Sequence, residues 1–491
     1  MKCLSRLGCL FGHSETSKFW NHKALYQEDG HILNDSRPRL PGEIWRKIIR
    51  YTIGLEGANT VEPGDPFLAP YIDEEYPEID SDLFVDRANL SLVNSSWNIA
   101  VSEVTAEYLI IYSGRQLARQ VETFETAILA HHSHRVSKPK KKKQNQAIRI
   151  RSRQRLMHAK PLGEWTTRID FKIIGPYSVK DVLRLIQCTP NLRIYLNKNS
   201  SIDNIPRRPF PTEIVHGLIK YNAASLLRID WAGTGECPKY ADLVRLCTGL
   251  PHLMTLRLIS IHSYHLRDLV SASPLVFPAL KHLTLGPRPH SKTHRENSPL
   301  RWDPLIYFLC LNPRVQLPCL EYLDCDIVPQ LWKQFFSLHG HKLQTLRTTS
   351  PYALKVLPEI LEYCQNLKTL LISQGEATPM EFPAYHPNVA RICILPSSDT
   401  HVRVPGDIFT CGAMWPLDNL LVGIERMVAP CLAELKIWNM EAYCARYEYR
   451  SWLQCWMLRW NLHRVAFLDK NGIPYEKIHD RDEAMLDLVR F

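Results

Sequence analysis

From about residue 160 onward the apolar positions fall into one recurring unit, L-x-x-L-x-L. Clean copies are Leu253-x-x-Leu256-x-Leu258, Leu280-x-x-Leu283-x-Leu285, Leu367-x-x-Leu370-x-Ile372 and Leu432-x-x-Leu435-x-Ile437. Looser copies begin at Leu226, Leu320, Leu343, Val389 and Leu462, and Ile169-x-Phe171 and Leu192-Arg193-Ile194 mark the first turns. Within each unit the alternation predicts a short strand, its fourth and sixth residues on one face and its third and fifth on the other. A helical pattern precedes most copies and ends in Pro or Asn just before the first Leu, as in Tyr240–Leu250 before Pro251 and Ala353–Cys364 before Asn366. One such unit cannot bury its apolar face, but stacked units can, so residues 161–470 predict an α/β solenoid. Its parallel strands lie on the concave face and its helices on the convex face. From Leu226 the start-to-start spacings are 27, 27, 40, 23, 24, 22, 43 and 30, which places insertions near 286–319 and 395–431.

The N-terminal part reads differently. Residues 1–36 form an irregular tail, and residues 37–112 form a small helical module. Its first helix runs Leu40-Pro41-Gly42-Glu43-Ile44-Trp45-Arg46-Lys47-Ile48-Ile49-Arg50-Tyr51. Pro41 and Glu43 suit a helix's first turn, while Ile44/Ile48 and Trp45/Ile49 form an i,i+4 apolar stripe. An insertion at 55–89 follows, and then a second helical pattern with Val93, Trp97, Ala100 and Val104 on one face. Residues 113–160 read as a helix and a loop, and 471–491 as a C-terminal tail.

Charge sharpens this division. The chain has 491 residues with 60 Lys+Arg and 50 Asp+Glu, a formal net charge of +10. Eleven Lys and Arg, and no acid, lie between Arg135 and Lys160; without them the remainder stands at −1. Ten acids, and no Lys or Arg, lie between Glu56 and Asp86. Blocks of like charge read as loops or insertions. The 14 cysteines form no C-x-x-C pair and several follow apolar helical runs, which suits buried free thiols in a reducing compartment. No leader peptide and no apolar run of about 18 residues is visible, so no membrane association is expected.

With the Leu-Pro-x-Glu-Ile-Trp helix beside this array, the chain resembles an F-box protein with irregular leucine-rich repeats, more narrowly the expanded F-box group of mushroom-forming fungi. The residues that carry the resemblance are Leu40, Pro41, Glu43, Ile44, Trp45, Ile48 and Ile49, then Leu90-Ser91-Leu92-Val93-Asn94-Ser95-Ser96-Trp97. The latter matches the group's L-x-x-V-C-x-x-W segment with Asn94 in place of Cys, and Glu107-Tyr108-Leu109-Ile110-Ile111 resembles the strand that ends the module. The insertion is a departure from a compact F-box, and the Asn usual at the ninth position of the repeat is replaced by Ile261, Arg288, Val328, Pro351, Gly375 and Met440. The resemblance implies a substrate-recognition subunit of a Skp-cullin-F-box ubiquitin ligase. Leu40, Pro41, Ile44, Trp45, Ile48, Ile49, Val93 and Trp97 are then candidates for binding a Skp-family adaptor, and through it a cullin-RING ligase. The alternative is a leucine-rich-repeat scaffold whose F-box does not engage the ligase.

The third and fifth strand positions select candidate contacts to an unknown protein client: Arg257, His282, Tyr322, Asp324, Arg347, Arg391 and Lys436. No G-x-S-x-G, H-E-x-x-H or G-x-x-x-x-G-K-[ST] occurs, so a non-catalytic protein without cofactor or metal is expected. His131, His132 and His134 have no Cys or carboxylate at ligand spacing, and Trp452, Trp456 and Trp460 read as a packing stripe. The basic run Lys138–Lys143 has three readings: a solvated loop, a nuclear import signal, or a nucleic-acid contact. The last is disfavoured because no stacking aromatics are interleaved. Cytoplasmic or nuclear residence follows from these readings.

Overall fold

In the computed structural model, the residues described are 42–55, 57–68, 81–136, 160–200, 208–233, 235–259, 261–262, 274–286, 302–311, 316–325, 329–348, 355–373, 381–396, 414–444 and 447–475. The chain divides into two compact units: Met1–Ala58, Pro77–Leu109 and Thr126–Thr166 form the first, and Asn59–Tyr76, Ile110–Glu125 and Thr167–Phe491 the second.

The first unit includes the helices α1 (Gly42–Ile53), α2 (Ser81–Ser91) and α3 (Ser95–Glu107). The apolar stripe of α1 is split. Ile49 and Ile53 turn inward against Ala100, Val101 and Val104, with Leu83, Leu90 and Trp97 at the edge of that core. Two ion pairs fix the α1–α3 register: Arg46 with the buried Glu103 at 3.0 Å, and Arg50 with Glu107. Arg87 of α2 donates to the Ile53 carbonyl at 3.1 Å, satisfying an acceptor that the end of α1 leaves open. Asn94 caps α3, its side-chain oxygen accepting from the Trp97 N–H at 2.9 Å. Two expectations change here. The insertion 55–89 is not loop throughout, because α2 begins at Ser81 within it. Val93 is not on the second helix, which the Asn94 cap starts at Ser95.

Strand β1 (Tyr108–Ile111) and helix α4 (Gly114–Val136) follow, and Leu117, Val121 and Phe124 bury one side of α4. The repeats then alternate: β2 (Arg168–Phe171), α5 (Val179–Cys188), β3 (Ile194–Asn197), α6 (Thr212–Asn222), β5 (Arg228–Trp231), α7 (Tyr240–Gly249), β7 (Thr255–Leu258) and β8 (His282–Leu285). Between them β4 (Arg208–Pro209) and β6 (Glu236–Cys237) make a separate small pair. The series continues as α8 (Asp303–Leu309), β9 (Tyr322–Cys325), α9 (Pro329–His339), β10 (Thr345–Thr348), α10 (Leu357–Tyr363), β11 (Thr369–Ser373) and β12 (Arg391–Leu395). It ends with α11 (Met414–Arg426), β13 (Glu434–Ile437), α12 (Met440–Cys444), α13 (Tyr447–Leu462) and β14 (Ala466–Leu468).

Among the described residues the sheet has twelve strands in the order β1-β2-β3-β5-β7-β8-β9-β10-β11-β12-β13-β14. The pairing is parallel and in phase: Leu256 stands beside Leu283, Leu283 beside Leu323, and Leu346 beside Leu370. The fourth and sixth residues face the helices, as where Leu256, Leu258 and Leu283 meet Leu243 of α7 and Leu305 and Leu309 of α8. This is a leucine-rich-repeat solenoid. Both long spacings still carry their helix, α8 in one and α11 in the other, and the extra residues, 287–301 and 397–413, lie outside the described residues. The last copy is out of phase by two. Glu434 pairs with Ala466, so the repeat starts at Arg464 rather than at Leu462, which is 85% exposed. A turn with Arg464 at φ 59° takes up the shift.

Candidate protein-docking surfaces

In the first unit the residues left outside the core define one candidate face. Ile44 is 38% exposed and Tyr51 72%, with half-buried Ile48 between them, an i, i+4, i+7 stripe beside the buried one. The exposed Leu92 and Val93 form the turn between α2 and α3. Trp45 is half-buried with its ring 5.0 Å from that of Trp97, so the two tryptophans form the rim of the core. Of the eight adaptor candidates, Ile44, Trp45, Ile48, Val93 and Trp97 remain wholly or partly accessible. Ile49 does not: at 1% exposure it holds α1 to α3, because its position in the helix points between them. Leu40 and Pro41 lie outside the described residues.

In the second unit the sheet face turned away from the helices carries all seven client candidates, but it is not open to solvent. Arg257, Tyr322, Asp324, Arg347 and Lys436 are each 5% exposed or less. His282 and Arg391 are half-buried. The physical reason is twofold. First, charged side chains at the third and fifth strand positions neutralise one another in pairs. Asp324 accepts from Arg347 across neighbouring strands at 2.7 Å, and Arg257 lies 3.6 Å from Asp230. Arg168 grips Asp170 through two bonds of 2.7 and 2.8 Å, and Arg228 donates to Asp230 at 2.8 Å. Bidentate pairs of this kind satisfy both partners away from water.

Second, part of the acidic insertion lies on that face. Thr167 donates to the Asn59 side chain at 2.7 Å, and Thr255 to the Val61 carbonyl at 3.3 Å. Val61 sits over Ile194 and Leu196. Lys281 approaches Glu62 at 3.8 Å, and Arg391 binds Asp65 at 2.6 Å. Phe67 is 2% exposed and rests on Leu371, Cys393, Leu395 and Leu468. Above its ring stand Arg391 at 5.0 Å and the Lys436 ammonium at 4.6 Å, and that ammonium also donates to the Phe67 carbonyl at 2.7 Å. Burial lowers the Lys436 pKa and raises that of the Cys393 thiol to about 12, so Cys393 serves Phe67 as a small apolar surface. Burial also pulls His282 down to about 4, leaving it neutral beside the Tyr322 ring at 5.6 Å.

Sequence reading missed Val61, Asp65, Phe67, Arg168, Asp170, Arg228 and Asp230. The triplet Arg-Ile-Asp occurs at 168–170 and at 228–230 in matching repeat positions, a readable signal of the paired row. Nothing local marks the 59–68 segment as a partner of strands hundreds of residues away.

The remaining candidates place simply. His131 and His132 belong to α4, and no group of three metal-ligating side chains occurs among the described residues. Trp452 and Trp456 both donate to Asp418 of α11, at 2.9 and 3.0 Å, so that stripe packs against α11. Lys138–Lys143 lie outside the described residues. No helix among the described residues is long and apolar enough to cross a membrane.

The fold is an α/β solenoid whose strands carry a leucine-rich repeating unit, with a small helical unit formed by the preceding part of the chain. No family model matches the chain, and no curated protein does. Among solved structures it is similar to an internalin from Listeria monocytogenes, 13% identical, covering 62% of this chain and 74% of that one with a TM-score of 0.26.

Proposed function

We propose that this chain is the substrate-recognition subunit of a Skp-cullin-F-box ubiquitin ligase, with the helical unit binding the adaptor and the repeats binding a protein client. The observation that carries the reading is the divided stripe of α1: Ile49 and Ile53 are spent on the core, yet Ile44, Ile48 and Tyr51 remain outward, with Leu92 and Val93 exposed in the same unit. Exposed apolar side chains held on a rigid helix are the kind that become interface anchors. The chain itself transfers nothing in this reading. It raises the effective concentration of client lysines near the conjugating enzyme, and tethering alone is worth several orders of magnitude.

The test is capture of a purified Skp-family adaptor by the full chain and by Ile44→Asp. Ile44 is peripheral to the core, so the variant should keep its melting temperature while affinity falls ~30-fold, the equivalent of a ~2 kcal/mol anchor. Undiminished capture by a folded Ile44→Asp protein overturns the proposal.

A further inference from the structure

We infer that the sheet face of the repeats turned away from the helices is a receptor for an extended acidic segment with an aromatic anchor, and that residues 59–68 are its resident occupant, displaced when a partner segment of the same chemistry binds. This rests on the reading of the repeats as a partner-binding face and names what that face selects.

Three observations carry it. The face has two apolar seats set among polar and charged side chains: Ile194 and Leu196 under Val61, and Leu371, Cys393, Leu395 and Leu468 under Phe67. Lys281 meets the carboxylate of Glu62, and Arg391, beside the Phe67 seat, meets that of Asp65. The seats and cations together read a short aliphatic residue, two acids and an aromatic at the spacing of Val61-Glu62-Pro63-Gly64-Asp65-Pro66-Phe67.

The segment is attached as a ligand is attached. Thr167, Arg228, Thr255, Lys281, Arg391 and Lys436 reach it with side chains, and it belongs to no strand of the sheet. Its own bonds are local: Asp65 accepts from the Phe67 and Leu68 backbone N–H groups and shapes a turn. Pro63, Gly64 and Pro66 keep it from forming strand or helix of its own.

The face is also built to survive its departure. Arg168–Asp170, Arg228–Asp230 and Arg347–Asp324 stay paired without the segment. The groups that lose a carboxylate are Lys281 and Arg391, and Lys436 loses the Phe67 carbonyl and ring. Vacating the face therefore exposes a cationic, apolar-floored groove, complementary to an acidic partner and disfavouring a basic one.

The test uses the full chain and a fluorescein-labelled peptide of residues 57–68, read by anisotropy. Phe67→Ala, which loosens the resident segment, should bind the peptide at least about tenfold tighter than the unaltered chain, since self-occupation divides apparent affinity by the open fraction. Asp65→Asn should give a smaller gain. Adding Arg391→Glu to Phe67→Ala, or replacing the peptide's Phe by Ala, should abolish binding. Equal binding by the unaltered chain and Phe67→Ala, or no binding by a folded Phe67→Ala protein, overturns the inference. Unfolding of both Phe67→Ala and Asp65→Asn overturns it too, because the segment is then part of the core. Adaptor capture scored on the same preparations separates the two readings: peptide binding without adaptor capture counts against the ligase role alone, and the converse against this inference alone.

Discussion

Two buried histidines, His339 and His386, act as fixed donors. A carbonyl can only accept, so the 3.0 Å contact from His339 Nε2 to the Leu309 carbonyl and the 3.1 Å contact from His386 Nε2 to that of Cys364 place the proton on Nε2. Nδ1 then accepts, from Lys342 in the first case and from the Val389 N–H in the second. Burial favours the neutral ring and lowers the pKa of both, that of His339 to about 4, while the Leu309 bond works weakly the other way. His282 is lowered to about 4 by burial as well. With a folded value below the unfolded one of 6.5, His339 and His282 each take up a proton on unfolding between pH 6.5 and about 4, and His386 adds to the effect in the same direction. Stability is thus fully present above pH 6.5 and falls as pH drops through that window. Urea midpoints measured at pH 7 and pH 5 should show the loss, and His339→Gln, which keeps a donor for Leu309 without a titrating ring, should shrink the difference.

The same carbonyl-capping job recurs from repeat to repeat with different side chains at the helix-to-strand turns, the end of the repeat opposite the ninth position. Asn222, at the end of α6, donates to the Thr189 carbonyl at the end of α5 at 2.7 Å. Asn366 donates to the His341 carbonyl and Asn388 to that of Gln365, each at 2.7 Å. These two Asn residues stand just before the first apolar residue of their repeats, where the sequence pattern shows Pro or Asn. The ladder therefore runs along the helix-to-strand turns, one repeat to the next. Environment sets the worth of each rung: Asn222 is 1% exposed, whereas the Asn388 bond lies at the surface. Asn222→Ala leaves a buried acceptor open and should cost ~1–3 kcal/mol, against ~0.5–1.5 for Asn388→Ala, since water replaces a surface bond. Chemical denaturation of the two variants checks the order; equal losses would argue against it.

Across the molecule, stability in the second unit is cooperative between neighbours, because each strand and helix is buried only by the repeats beside it. Leu370 is fully buried and pairs with Leu346 and Ile392 on either side. Leu370→Ala should cost ~2–5 kcal/mol. Hydrogen exchange should rise in β10, β11 and β12 together, while α1 and α3 of the other unit keep their protection. Residues 59–68 add a contact of another kind: Asp65 and Arg391 meet across a sequence separation of 326 residues. Such a closure gains nothing until the repeats are stacked, so the segment is expected to join late in folding.

Legibility follows the range of the interaction concerned. The repeat phase was readable from Leu256, Leu283 and Leu370 because alternation in a strand is local, and the two faces follow from it directly. The α1–α3 core was partly readable: the stripe was visible, but which of Ile44 and Ile49 turned inward depended on where Ala100 and Val104 stood. Leu462 misled because an exposed leucine at a helix end looks, in one dimension, like the first residue of a repeat. The solenoid and its phase are thus properties of the chain's periodicity, which short-range sterics and burial enforce residue by residue. That Arg257, Asp324, Arg347 and Lys436 are covered rather than open was settled by ion pairing between neighbouring strands and by a distant segment folding back onto the sheet, and no local pattern encodes which remote surface a segment will find.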